Sequence, residues 1–198
     1  MHKLKIFLLM VCLNAFCAAV FAAEVFKGKE VTLLLPINHL HVGSETGGLT
    51  LQVSIPSATK CIANTENFYE FIPAKEDPSS WSKIYTVKTY VGRRYFAKPC
   101  SEGVLNGMRP SCDDFQKIHE EDKIEKDYEV SRYTVAYSYN GNTEVMCMET
   151  YAGPMDSVQV QLTQRLKNDE KVEVVAATLR AELSSMIRVV KFGTAKVK

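Results

Sequence analysis

Alternation of apolar and polar positions organises most of this chain. Residues 49–55 alternate without a break: Leu49, Leu51, Val53 and Ile55 fall on one face, and Thr50, Gln52 and Ser54 on the other. That period of two predicts a strand with one buried face. Residues 30–36 (E-V-T-L-L-L-P) form an apolar strand stopped by proline. Residues 68–73 (F-Y-E-F-I-P) and 81–91, rich in aromatic and β-branched side chains, predict two more. Residues 133–139 and 143–151 flank Asn140-Gly141-Asn142, and Asn-Gly between two such runs is a strong hairpin signal. In the second of these strands Met146 and Met148 share one face, and Val145 and Cys147 the other.

The stretch 157–183 supports two patterns. Val158, Val160 and Leu162 alternate with Gln159, Gln161 and Thr163; the polar run Lys167-Asn168-Asp169-Glu170 interrupts; then Val175, Ala177, Leu179, Ala181 and Leu183 alternate again. Two period-two runs around an Asn-Asp turn predict an antiparallel hairpin. Val172, Val175, Leu179, Leu183 and Met186 also lie at helical spacing. The β-branched residues at 172–175 and the position of the turn favour the hairpin.

A short helix is expected over 111–122. Ser111 and Asp114 have capping-box spacing, Asp113 and Asp114 suit a helix N-terminus, and Phe115 and Ile118 give an apolar side. Residues 92–110, with Arg93, Arg94, Cys100, Gly103, Gly107 and Pro110, read as irregular, and residues 37–48 as a turn-rich connecting loop. Trp81, the only tryptophan, is expected to anchor its loop on the core. The basic tail is expected to fray beyond Phe192. The sum is an α+β fold: one domain over 23–198, a mainly antiparallel sheet of six to eight strands, and one or two short helices.

The first 22 residues change the picture of where this domain works. His2, Lys3 and Lys5 precede an apolar run over 6–21, followed by small residues at Ala22 and Ala23. A basic start, a short apolar stretch and a small-residue exit predict a secretory signal peptide cleaved after Ala22. The run is too short, and Asn14 too disruptive, for a membrane-spanning helix, so no integral membrane segment is expected after cleavage. An exported protein, periplasmic or extracellular, is expected. Loss of Lys3 and Lys5 turns the formal charge of +1 into −1, a balance unsuited to coating nucleic acid.

Export also gives the cysteines a meaning. Cys12 and Cys17 leave with the signal, and Cys61, Cys100, Cys112 and Cys147 remain. An even number in an oxidising compartment predicts two disulfides, with three connectivities open. No C-x-x-C pair suggests a zinc knuckle.

Residues 68–91 and 157–183 resemble small exported proteins of Gram-negative bacteria. The matching positions are Phe71, Ile72, Pro73, Trp81, Thr86 and Val87, then Asn168, Asp169, Val174, Val175 and Arg180. Lys167 stands where that pattern has a glycine, and the run to Arg180 is one residue longer. The resemblance implies export and fold, and no activity.

Candidate chemistry is sparse. His39 and His41 project to one side of an extended segment and suit two ligands of a metal ion, with His119 as a third. Cys112 and His119 as a thiolate–imidazole pair would lie about 10 Å apart along a helix, too far to touch. Gly43-Ser44-Glu45-Thr46-Gly47 misplaces its serine for a hydrolase elbow, and no phosphate-binding, dinucleotide or zinc-protease motif is present. No cofactor is therefore expected. Tyr133, Tyr137, Tyr139 and Tyr151 offer either an aromatic surface for a protein or glycan partner or cross-strand packing. The expected function is a non-enzymatic exported binding or scaffold protein. The alternatives are a secreted metal-dependent hydrolase using His39 and His41, and an accessory component of an envelope secretion or conjugation apparatus.

Overall fold

Ten strands and two helices follow one another in this structure, a computed structural model that describes residues 31–36, 49–91, 96–154 and 156–191. The strands are β1 (Val31–Pro36), β2 (Leu49–Ile55), β3 (Thr59–Thr65), β4 (Phe68–Pro73), β5 (Lys83–Tyr90), β6 (Phe115–Ile124), β7 (Glu129–Tyr139), β8 (Asn142–Ala152), β9 (Ser157–Arg165) and β10 (Ile187–Lys191). The helices are α1 (Ala97–Met108) and α2 (Val172–Met186). The strands form a seven-stranded antiparallel sheet, ordered β3-β4-β5-β9-β8-β7-β6, and a three-stranded one, β1-β2-β10.

Alternation predicts β2 for a simple reason: one of its faces lies in the core. In β2, Leu51, Val53 and Ile55 are buried while Thr50, Gln52 and Ser54 stay half-exposed. The β7–β8 hairpin turns on two residues, Asn140 at φ 50° and Gly141 at φ 76°, with Tyr139 paired to Asn142. Both central residues are left-handed, as a two-residue turn matched to the sheet's twist requires.

The large core joins α2, the small sheet and one face of the large sheet; Cys147, Val160 and Leu162 meet Leu51, Val53, Leu179 and Leu183 there. A smaller cluster on the other face gathers Tyr133, Val135, Tyr137, Met146 and Met148 beneath Leu105 of α1. Val145 and Cys147 thus face α2 while Met146 and Met148 face α1, as their alternation predicts.

Three expectations are overturned. The second arm of the proposed hairpin is α2, which buries Val175, Ala176, Leu179, Leu183 and Met186 as one stripe. Its centre, Ala176-Ala177-Thr178-Leu179-Arg180-Ala181-Glu182-Leu183, is dominated by strong helix formers, which outweigh the adjacent valines at 174 and 175. Glu170 fixes the entry turn, its carboxylate accepting the Lys167 backbone N–H at 2.8 Å.

The helix expected over 111–122 is instead β6. Its full length pairs with β7, from Phe115 opposite Tyr137 to Ile124 opposite Glu129, and this ladder prevails over the local capping signal. The acidic run thereby lies on a sheet edge, where charge discourages pairing with other chains. The helix on this side is α1, within the stretch read as irregular. Its Pro99 sits in the first turn, where a missing N–H costs nothing.

Among the described residues no disulfide staples the fold, because Cys61, Cys100, Cys112 and Cys147 are free thiols. Cys61 on β3 and Cys147 on β8 are separated by β4, β5 and β9. At about 4.8 Å per strand step that is nearly 20 Å, against the roughly 7 Å between Cα atoms that a disulfide tolerates. Cys112 packs against the α1-side cluster, across the sheet from Cys147. Burial pushes the Cys61 thiol up to about 11, and the thiol donates to the Ala63 carbonyl at 3.1 Å.

Trp81 is half-buried and held by Arg165, whose guanidinium lies 4.0 Å from the indole centroid and donates to the Trp81 carbonyl. Glu144 accepts a further hydrogen bond from Arg165 Nε at 3.1 Å.

Candidate functional site

Two rungs of the large sheet floor a cleft beneath the C-terminal half of α2. One rung aligns His119, Thr134 and Cys147 across β6, β7 and β8; the next on the same face aligns Glu121, Arg132 and Glu149. Arg180, Leu183 and Ser184 of α2 form the opposite wall, and the cleft measures about 340 Å³.

A bulge decides which side chains reach it. The register of β6 shifts between Lys117 and His119, so Lys117 pairs with Val135 and His119 with the very next residue, Thr134. The extra residue reverses the alternation beyond it. His119 and Glu121 are thereby turned to the α2 face, and Glu120 and Asp122 to the α1 face. There Lys98 of α1 meets Glu120 at 2.9 Å and Asp122 at 2.8 Å.

Glu149 is the anchor of the cleft. Its side chain is only 5% exposed. It accepts hydrogen bonds from Arg132 Nε at 3.1 Å, from the Tyr151 hydroxyl at 2.7 Å and from Ser184 Oγ at 3.0 Å. A buried carboxylate is tolerable when its charge is paired and its lone pairs are used, and both conditions hold. The Ser184 bond also ties α2 to the sheet. Burial and the Glu149 charge hold the Tyr151 hydroxyl well above the usual range, so it stays protonated as a donor. Arg132 reaches past Glu149 to Glu121 at 3.4 Å.

Cys147 lies fully buried on the floor. Its thiol donates to the Ala176 carbonyl at 3.7 Å and sits 3.4 Å from Thr134 Oγ1. Burial pushes the thiol upward, more than the Thr134 contact and the Arg180 charge pull it down. A buried, protonated thiol is a poor nucleophile.

The mouth opens at edge strand β6, where the side chains of His119 and Glu121 are 39% and 49% exposed and stand 4.0 Å apart. Arg180 is half-buried on the helix wall and makes no hydrogen bond or ion pair among the described residues. Every other charged group of the cleft has a partner.

The predicted site residues disperse. His39 and His41 lie outside the described residues. His119 reaches the cleft mouth, and among the described residues no group of three or more His, Cys, Asp or Glu side chains is placed to hold a metal ion. Cys112 and His119 lie on opposite faces of the sheet. Of the tyrosines, Tyr133 and Tyr137 are buried at 2% and 7% exposure on the α1 face, Tyr139 packs partly buried beside them, and Tyr151 is buried on the α2 face. They pack across strands rather than presenting one aromatic surface. Glu149, Arg132 and Arg180 were missed as site residues. The available signal was Glu149 itself, a lone acid inside the apolar run of residues 145–151.

An antiparallel seven-stranded sheet with a helix and a small sheet on one face, and a second helix on the other, defines the class: an α+β sandwich. No family model matches the chain, and neither does any curated protein. Solved structures are similar to it. The Ran-binding protein Mog1p of Saccharomyces cerevisiae superposes with a TM-score of 0.51 at 9% identity, over 81% of this chain and 97% of Mog1p. Cyanobacterial PsbP from Synechocystis sp. PCC 6803 matches with a TM-score of 0.48 at 10% identity, over 77% of this chain and 98% of its own. LpqN, involved in cell envelope biogenesis of Mycobacterium tuberculosis, matches with a TM-score of 0.43 at 15% identity, over 80% of this chain and 91% of its own. At these identities the likeness to Mog1p is one of fold.

Among the described residues no helix is long and apolar enough to cross a membrane.

Proposed function

We propose that this chain is an exported, non-catalytic protein that binds a protein partner through the cleft between α2 and strands β6–β8. The observation carrying this reading is the pairing within the cleft. Glu149 is saturated by three donors, Arg132 is divided between two carboxylates, and Cys147 is buried and protonated. Groups so committed hold geometry rather than move protons, since a general base or nucleophile needs an available lone pair at the reacting atom. Arg180 alone is left to meet something from outside.

Export rests on the basic, apolar and small-residue segments of residues 1–22. Mog1p, named for binding Ran, gives the fold a precedent in protein recognition. A fold is not a function, so the weight stays on the cleft.

The test is to express the full chain in a Gram-negative host with a photo-crosslinking amino acid replacing Glu121 at the cleft mouth. The expected result is a mature chain beginning at Ala23 in the exported fraction, joined on illumination to one defined protein. A chain retained inside the cell with its first 22 residues intact would overturn export. An exported chain that forms no adduct would overturn partner binding.

A further inference from the structure

We propose that the group this cleft recognises is a carboxylate, received by the guanidinium of Arg180; this rests on the reading of the cleft as a binding site. The cleft holds two fixed cations, Arg132 and Arg180, and two carboxylates, Glu121 and Glu149. Arg132 is engaged by both carboxylates, at 3.1 Å to Glu149 and 3.4 Å to Glu121. Arg180 is engaged by neither.

A guanidinium carries five donors in a planar fork that matches a carboxylate edge to edge. Half-buried beneath α2, Arg180 lacks the full hydration that would satisfy those donors at an open surface. Chemistry narrows the ligand further. A doubly charged phosphate would bring its second charge against Glu121 and Glu149, a repulsion that one negative charge largely avoids. A cationic ligand would meet Arg180 and find Glu149 already saturated. An apolar ligand would strip water from the partly exposed Glu121, Arg132 and Arg180 while offering them no hydrogen bonds. The singly charged, planar carboxylate fits the one open valence. It would enter past the exposed side chains of His119 and Glu121, with buried Leu183, Thr134 and Cys147 behind the walls of the cleft.

Such a carboxylate can come from an acidic side chain of a protein partner or from a free small acid. The test uses the isotope-labelled mature chain titrated with N-acetyl-glutamate α-methylamide, whose one charge is the side-chain carboxylate, and with N-acetyl-glutamine α-methylamide as the neutral isostere. Saturable shifts are expected at the amides of Thr134, Cys147, Leu183 and Ser184. They should weaken by about tenfold with the amide ligand or in the R180Q chain, because a charge-assisted bidentate pair is replaced by a neutral one. Unchanged signals elsewhere in R180Q establish that it folds. No shifts with the acid, or equal shifts with the amide or in R180Q, would overturn the proposal.

The crosslinking at position 121 separates this from the broader reading. An adduct that forms equally in R180Q, with the acid silent in the titration, removes the carboxylate and leaves partner binding standing. Acid binding without an adduct sustains the carboxylate, assigns it to a free small acid and removes the protein partner.

Discussion

The two helices cover opposite faces of one sheet, and they are held there by different physics. α2 buries an unbroken stripe of Val175, Ala176, Leu179, Leu183 and Met186 in the large core. α1 buries little beyond Ala97, Cys100, Ser101 and Leu105; it has no acid in its first turn and no cap from Phe96, and at its start the Glu129 carboxylate accepts the Ala97 N–H at 3.3 Å. Its attachments are polar. Ser101 Oγ bonds Thr150 Oγ1 at 2.7 Å, Gln159 Nε2 donates to the same hydroxyl at 3.1 Å, and Lys98 bridges Glu120 and Asp122. Hydrophobic burial is strong and tolerant of geometry, whereas polar attachment is weaker and demands register. The helix that packs by burial can therefore roof a cleft without losing its hold.

Single substitutions should sharpen the contrast, from the largest effect downward. Leu179→Ala, at a fully buried position, should cost about 3–4 kcal/mol in denaturant unfolding, and Leu105→Ala on α1 about 2. Equal costs would remove the distinction between the faces. Glu149→Gln should cost about 2 kcal/mol, because it breaks a largely buried ion pair while Arg132 keeps Glu121 and some solvent. Its thermal unfolding should respond less to Ser184→Ala, since that serine's bond to a carboxylate becomes one to a neutral amide.

On α1, Ser101→Ala should cost about 1 kcal/mol, the price of leaving a buried hydroxyl network one member short. Gly103→Ala and Gly107→Ala should each stabilise by about 0.5–1 kcal/mol. Neither position has a positive φ, and an added Cβ meets nothing within 4 Å at either.

The smallest effect is the pH dependence of the α1 clamp. Lys117, with Lys98 and the Tyr133 hydroxyl, holds the Glu120 carboxyl down at about 2. A carboxyl depressed in the folded state stabilises fully above its unfolded value, near 4.5, and loses that contribution as pH falls toward 2. Acidification through that window should lower the melting temperature of the native chain more than that of Lys98→Ala, and high salt should shrink the difference because these groups are exposed. Parallel acid profiles would show that the clamp does not couple α1 to β6.

The same contrast governs what could be read from the residues. β2, β4, β5 and the β7–β8 hairpin were legible because one buried face leaves a period of two, and Asn140-Gly141 permits little else. α2 was visible as the helical spacing of Val172, Val175, Leu179, Leu183 and Met186, but its alanines also complete a period-two row. Only packing chose between them: Ala177 of that row is exposed and Ala176, outside it, is fully buried. α1 left no periodic signal because serine and lysine contacts hold it. β6 was hidden because an edge strand is charged on both faces and its bulge breaks the alternation. The cleft joins β6, β7, β8 and α2, so its residues come together only once the register of those strands is set. The cysteine count suggested staples, yet the strand order places Cys61 and Cys147 too far apart to join.

The central claim is that one face of the sheet, the cleft face under α2, meets a partner. The most direct measurement places the same photo-crosslinking residue at Glu121 in one exported chain and at exposed Gly103 of α1 in another, and compares adduct yields in the same cells. A defined adduct from position 121, with little or none from position 103, is the predicted result. Equal yields from both faces, or an adduct from position 103 alone, would contradict it.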